Sequence, residues 1–156
     1  NNLWMTPNLM LQKLPAQTFQ VRSKLRVPTA QADIETGLLL FGEDYAWLGI
    51  KTINNAPHLV YVQCRGARTG CNESVHDYGE VNHGSIEIRY ILASDATAVF
   101  AYRFSENEAF TVAGEQFKAR RGRWVGAKTG VFAVGESGAS ARYDYVRFLP
   151  MHREGL

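Results

Sequence analysis

Aromatic side chains beside a tight turn are the first feature of this sequence that suggests a chemical role. Short apolar runs flank Gly42-Glu43-Asp44, a pattern typical of a β-hairpin. In the second run Tyr45 and Trp47 are two residues apart, so they lie side by side on one strand face while Ala46 points to the other. If the rings are exposed they form a stacking platform for a sugar; if not, they pack in a core or between sheets, which is the commoner role of such residues.

Carboxylates that cut glycosidic bonds work as a pair, roughly 5 to 9.5 Å apart across a cleft. Lectin-like glucanases carry theirs on one strand as Glu-x-Asp-x-x-Glu, and no segment here matches that pattern. Glu106 and Glu108 lie in a predicted turn, and Glu87 shares a polar strand face with Arg89. We therefore expect no catalytic residues: a sugar that this chain contacts is bound, not cut.

Potential metal ligands cluster in the polar stretch 66–84, namely His76, Asp77, Glu80 and His83. No His-x-x-x-His or Cys-x-x-Cys spacing accompanies them, so a transition-metal site has little support. We expect no required cofactor. Jelly-roll domains that handle sugars often hold a structural Ca²⁺ with loop oxygens, so calcium stays open without assigned ligands.

Size and charge limit the classes of protein. With 156 residues and 46% apolar composition, the chain can bury a core, and we expect one domain over residues 1–156, cut from a longer protein. A net charge of +2 is too small to indicate nucleic acid or an anionic membrane as partner. The basic residues between Lys118 and Lys128 are interpreted as a solvated loop. No apolar run reaches the length of a membrane span, and the first residues do not resemble a signal peptide.

Two cysteines, Cys64 and Cys71, close a short glycine-containing segment. A disulfide and a pair of free thiols are both compatible with this spacing, because geometry decides between them. A disulfide favours a secreted or periplasmic protein, whereas free thiols favour the cytoplasm.

Many short strands separated by turns run through the sequence. Residues 19–27 alternate between an apolar face and a basic one, whereas residues 38–41 are apolar without a break, which indicates burial of both strand faces. Further strands are predicted at 59–64, 86–92, 100–104, 110–113, 131–134 and 143–148. No long helical periodicity occurs. The pattern predicts an all-β fold, an antiparallel β-sandwich of jelly-roll type.

Four separated stretches resemble a known family. They are residues 3–15 (LWMTPNLMLQKLP), 36–48 (TGLLLFGEDYAWL), 122–132 (GRWVGAKTGVF) and 143–148 (YDYVRF). Together they are similar to the concanavalin A-like domain that follows the five-bladed propeller in many family 43 glycoside hydrolases, above all β-xylosidases. The resemblance departs from the family at Ser105 to Glu108, where a Ser-x-Asp-Gly turn is usual.

The resemblance implies a non-catalytic module directed at xylan or xylooligosaccharides, which packs on a catalytic propeller. It also implies that a loop of the sandwich reaches toward the propeller's active-site pocket. The matching residues make Trp124 the candidate aromatic at the pocket rim, with Arg123 and Lys128 as donors to hydroxyls. Alternatively, Trp124 caps the core. The function expected is therefore carbohydrate binding by Trp124, Trp47 and Tyr45; the alternative is a structural domain that shapes the propeller's pocket without binding sugar alone.

Overall fold

The structure is a computed structural model that describes residues 3–14, 18–29, 33–120 and 126–151, with the side chain of Met5 excluded. These residues contain no α-helix, only two 3₁₀ turns at Leu3–Met5 and Ala67–Thr69. The strands are β1 (Leu9–Lys13), β2 (Phe19–Arg26), β3 (Ile34–Phe41), β4 (Tyr45–Ile53), β5 (Ala56–Cys64), β6 (Ser74–Glu80), β7 (Ser85–Leu92), β8 (Thr97–Arg103), β9 (Thr111–Lys118), β10 (Lys128–Gly135) and β11 (Arg142–Pro150). No described helix has the length and apolar character that crossing a membrane requires.

Two antiparallel sheets form a sandwich. The six-stranded sheet has the order β1-β10-β3-β4-β5-β6, and the five-stranded sheet has the order β11-β2-β7-β8-β9. The predicted all-β sandwich is therefore confirmed. Strand β2 shows why it forms: Phe19, Val21, Ser23 and Leu25 are buried, while the residues that alternate with them face outward. That alternation buries one face of the sheet.

The main core lies between the two sheets. Strand β4 contributes Leu48 and Ile50 from the six-stranded side. From the other side Tyr90 and Phe100 pack with their ring centroids 5.1 Å apart, and Phe100 meets Tyr61 of β5 at 5.6 Å. These contacts bury large apolar surfaces, which is the dominant favourable contribution to folding.

A second cluster covers the outer face of the six-stranded sheet. Leu39, Trp47, Val60 and Val62 point away from the main core, yet they are fully buried. The 3₁₀ turn Leu3–Met5 contributes to this cover, since Leu3 is buried in the same cluster. Strand β3 is thus apolar on both faces, as the unbroken run at 38–41 predicts.

The outermost strands of the sheets are short or irregular. Strand β1 has five residues. The ladders of the other three outermost strands each contain a register shift: β6 against β5 between His58 and Val60, β9 against β8 between Ala98 and Phe100, and β11 against β2 between Tyr143 and Tyr145. Such bulges bend and twist a strand locally.

The polar stretch 66–84, whose composition predicts loops and one short strand, contains the 3₁₀ turn Ala67–Thr69 and the seven-residue strand β6. Strand β6 has one partner, β5, and its side chains are mostly exposed. An edge strand of this kind buries little apolar surface, so its hydrophobic pattern is weak.

A disulfide joins Cys64, the last residue of β5, to Cys71 before β6, with their Cα atoms 6.1 Å apart. We predict that the Cys64→Ser/Cys71→Ser variant loses about 2 to 3 kcal/mol of unfolding free energy, because the unfolded chain is no longer cross-linked. Urea denaturation of both proteins with and without dithiothreitol checks this. Reductant should shift the unfolding midpoint of the wild type and leave that of the variant unchanged; an unchanged wild-type midpoint would contradict the prediction.

Candidate functional site

Two of the predicted stacking residues are buried. The side-chain alternation places Tyr45 and Trp47 on the outer face of β4, opposite Ala46, as expected, but both are 0% exposed. The expectation that they form an exposed platform is therefore wrong. The physical reason is that the sheet carries a second apolar layer: Trp47 packs edge-on against Phe132 of β10, with the ring centroids 4.9 Å apart.

Tyr45 is held by hydrogen bonds as well as by packing. Its hydroxyl accepts from the backbone N–H of Leu3 at 3.0 Å and donates to Glu73 Oε1 at 2.5 Å. Burial, followed by the hydrogen bond to Glu73, raises the pKa of Tyr45 well above its usual value. Burial also raises the pKa of Glu73. Tyr45 thus fastens the 3₁₀ turn and the segment after the disulfide to the sheet.

The sequence holds a signal for this cover. Leu3-Trp4-Met5 is an apolar triplet near the start of the sequence. In the structure Trp4 stacks on Phe41 with centroids 5.1 Å apart, and Phe41 stacks on Tyr45 at 5.9 Å. Three rings in series therefore continue the second cluster toward the β3–β4 hairpin.

A buried carboxylate organises the hairpin end of the sandwich. Asp44 is 1% exposed and accepts hydrogen bonds from the backbone N–H of Gly66 at 2.6 Å and from Arg120 Nε and Nη2 at 2.5 and 2.6 Å. Arg65 Nη1 lies 3.9 Å from Asp44 Oδ2. Burial alone would raise the pKa of Asp44, but the bonds from Arg120 and Gly66 and the nearby positive charges outweigh it, so the pKa lies below its usual value. We call Asp44, Gly66 and Arg120 the Asp44 hub.

The Asp44 hub joins three segments that are distant in sequence. The hairpin carbonyl of Glu43 also accepts from the N–H of Ala67 at 2.8 Å. Gly42 lies so close to Arg120 that a Cβ atom there would be 2.5 Å from the Arg120 carbonyl oxygen. Any larger residue at position 42 would push the chain after β9 away from the hairpin. The hairpin, the disulfide loop and the end of β9 are therefore fixed together.

The other three predicted site residues follow the hub residue Arg120 in the sequence. Trp124 and Arg123 lie outside the described residues, within the segment 121–125. After this segment in the sequence, Ala127 is buried. Lys128 begins β10 and pairs with Phe41, the last residue of β3. Lys128 is half-buried. The structure thus anchors both flanks of the segment that carries Trp124 beside the β3–β4 hairpin.

The candidate metal ligands are dispersed among other contacts. His76 packs on Tyr78 and His83 on Phe104, with centroids 4.5 and 4.1 Å apart, while Asp77 lies 3.0 Å from His58 Nδ1. Within the described part of the chain, no three His, Cys, Asp or Glu side chains converge as a metal site would require. The structural Ca²⁺ stays a prediction without assigned ligands.

The fold and this anchored end define a concanavalin A-like sandwich domain. Comparison with protein-family models makes the assignment specific: the model of the β-xylosidase C-terminal concanavalin A-like domain matches residues 1–149. The chain belongs to this family. Domains of the family form the C-terminal, non-catalytic part of family 43 glycoside hydrolases, whose catalytic site lies in a propeller domain that is not part of this chain.

Solved structures show the same fold within much longer chains. A bifunctional GH43-CE protein of Bacteroides eggerthii has a TM-score of 0.79 at 16% identity, over 95% of this chain and 19% of its own. A xylan β-1,4-xylosidase of Bacillus halodurans C-125 has a TM-score of 0.73 at 16% identity, over 91% of this chain and 29% of its own. An engineered GH43 glycoside hydrolase, described as having endo-xylanase and exo-arabinofuranosidase activity, has a TM-score of 0.78 at 16% identity, over 92% and 31%. Comparison with curated proteins finds no match.

Replacing the indole side chain tests the burial of Trp47. We predict that Trp47→Ala lowers the free energy of unfolding by about 3 to 5 kcal/mol, because it leaves a large cavity against Phe132. Urea denaturation measures the loss. The exposed Met10, on the edge strand β1, supplies a control, and Met10→Ala should change stability little. Equal effects of the two substitutions would contradict burial of Trp47.

The Asp44 hub predicts a pH-dependent contribution to stability. The pKa of Asp44 is lower in the folded protein than its usual 3.8, so the stabilisation is present above that value and is lost as pH falls through the folded-state pKa. We expect Asp44→Asn to cost about 2 kcal/mol at pH 7, as for hydrogen bonds to charged groups. The difference between wild type and variant should shrink below about pH 4. Urea midpoints from pH 7 to pH 3 measure it; a constant difference would refute the assignment.

Proposed function

We propose that this chain is the accessory module of a family 43 glycoside hydrolase that acts on xylan-type saccharides, and that its hairpin end contacts the saccharide. The observation that carries the proposal is the Asp44 hub, which fixes the flank of the 121–125 segment to two other loops. A binding loop gains affinity when its ends are held in place before the ligand arrives.

Trp124 is the stacking residue in this proposal, and Arg123 and Lys128 are its polar partners. A tryptophan ring offers a flat apolar surface to the C–H face of a sugar, and cationic side chains donate to hydroxyl groups. Tyr45 and Trp47 drop out as direct contacts because they are buried. The names of the solved structures, which include a xylan β-1,4-xylosidase, support xylan-type oligosaccharides as the first ligands to test.

The burial of Tyr45 and Trp47 favours a second function. Because two of the three candidate rings serve the domain's own packing, the module has fewer aromatic side chains for an independent sugar site. In this alternative the domain packs on a catalytic propeller, and the segment with Trp124 shapes the propeller's pocket without binding sugar alone.

Calorimetric titration of the chain with xylooligosaccharides separates the two functions. We predict measurable binding that Trp124→Ala weakens by about 1 kcal/mol or more, as expected for loss of a stacked aromatic ring. Trp124→Phe, which keeps a ring, should retain most of the affinity.

Matched substitutions guard against an indirect effect. His83→Ala removes an exposed ring from a different surface, where it stacks on Phe104, and should leave the binding constant unchanged. Circular dichroism melts confirm that each variant is folded. No heat with any xylooligosaccharide would favour the structural alternative, and hydrolysis of a chromogenic xyloside by the pure chain would overturn the non-catalytic assignment.

A further inference from the structure

Three arginines stand side by side across the outer face of the five-stranded sheet. Arg147 of β11 is directly opposite Arg22 of β2, which is directly opposite Arg89 of β7. We call these three residues the arginine row. Their neighbours Val21 and Tyr90 point into the core, so the arginines point away from it. Like charges directly opposite each other in a sheet are destabilising, so this arrangement has a cost in the free protein.

Arginine side chains pack around one aromatic ring on this face. The guanidinium carbons of Arg89, Arg103 and Arg22 lie 4.0, 4.5 and 5.1 Å from the centroid of Phe110. Contact with a ring face stabilises a cation and fixes the plane of the guanidinium group. Arg147 packs in the same way on Tyr145, at 4.1 Å. The rings therefore order the guanidinium groups of the row but do not neutralise their positive charge.

The charge of the row is not balanced by nearby carboxylates. Glu87 is a buried acid beside the row, and it pairs with Arg103 instead. Arg103 Nε and Nη2 donate to Glu87 Oε2 at 3.1 and 2.9 Å. Asp144 pairs with Arg26. Among the described residues, no carboxylate forms an ion pair with Arg22, Arg89 or Arg147.

The three arginines of the row differ in their other contacts. Burial, then the charges of Arg22 and Arg103, lowers the pKa of Arg89. Arg22 donates to the side-chain oxygen of Gln20, from Nη2 at 3.0 Å and from Nε at 3.3 Å, when the amide is oriented to accept. Within the described ranges, the side chains of Arg89 and Arg147 contact rings and form no hydrogen bond or ion pair. Donors thus remain free on a rigid, positively charged strip.

The dimensions of the strip favour a small anion over a protein surface. Strands are about 4.8 Å apart, so three arginines on adjacent strands span about 10 Å. A stable protein interface buries about 800 Å² on each partner, far more than such a strip provides. Guanidinium groups pair with carboxylates through two parallel hydrogen bonds.

We propose that the arginine row binds a carboxylate-bearing saccharide, such as a xylan-type chain with a uronic acid side group. The inference rests on the proposed function only in taking the ligand to be a saccharide. The surface is distinct from the hairpin end, because the row lies on the outer face of the five-stranded sheet and the Asp44 hub lies at the β3–β4 hairpin of the other sheet.

The test compares two oligosaccharides of equal length, one neutral and one carrying a single glucuronic acid group. In calorimetric titrations at low salt, we expect the acidic sugar to have a Kd at least tenfold lower than the neutral one. Arg22→Gln/Arg89→Gln should remove this advantage. Arg22→Lys/Arg89→Lys keeps the charge but loses the paired donors, so it should retain part of it. Raising the salt concentration should weaken the acidic sugar's binding selectively.

A control variant removes the same charge elsewhere. Lys13→Gln/Arg68→Gln changes two exposed cations, one on β1 and one in the disulfide loop, and should leave the advantage intact. Thermal melts establish that every variant is folded. If Arg22→Gln/Arg89→Gln fails to fold, the exposed Arg147→Gln replaces it and should reduce the advantage about threefold.

Each outcome bears on one proposal or the other. Equal affinity for both sugars, or an advantage that survives in Arg22→Gln/Arg89→Gln, would overturn this inference. Tighter binding of polyglutamate than of the acidic sugar would also overturn it and assign the strip to an acidic protein segment. Binding of the acidic sugar alone, unaffected by Trp124→Ala, would support the inference while refuting the hairpin-end site. Trp124-dependent binding of both sugars with equal affinity would do the reverse.

Discussion

Burial of strand β4 on both faces is the constraint on which the rest of the structure depends. Its inward side chains complete the main core, and its outward rings need a second cover. A single sheet cannot supply that cover, so the chain near Leu3 and the segment after Cys71 are drawn onto the outer face through Tyr45. The rings that look most suited to a ligand therefore hold the domain's own peripheral segments in place.

The same requirement explains how a carboxylate can be buried at the hairpin end. Once both faces of β4 are covered, the turn that begins it has fixed surroundings, and Asp44 can be buried with its donors already in position. An unpaired buried carboxylate is costly, whereas one that receives several hydrogen bonds stays ionised. The hub thereby ties the start of the 121–125 segment to a rigid part of the fold. In general, a loop whose end is anchored loses less conformational freedom when it binds a ligand.

Sequence analysis recovers those elements whose hydrophobic pattern reports burial directly. The alternation in β2 indicates one buried strand face, and the unbroken apolar run in β3 indicates two. The structure confirms both predictions. The family resemblance likewise agrees with the matching family model. Exposure of Tyr45 and Trp47 was not predictable in the same way, because period-2 alternation assigns a side chain to a face but does not say what covers that face.

Long-range polar contacts were also beyond sequence analysis. Asp44 and Arg120 are 76 residues apart, and nothing in their spacing indicates a buried ion pair. The arginine row is a further example, since its members come from β11, β2 and β7 and become neighbours only through strand order. Charged residues on alternate strand positions look like ordinary solvated surface until cross-strand register is known.

The irregular outermost strands have a consequence for the behaviour of the domain in solution. A sheet margin with unpaired backbone groups is a template on which another chain can add a strand. The register shifts next to His58, Ala98 and Tyr143 interrupt that template on three margins, and β1 offers only a short one. Backbone geometry thus disfavours self-assembly into extended sheets.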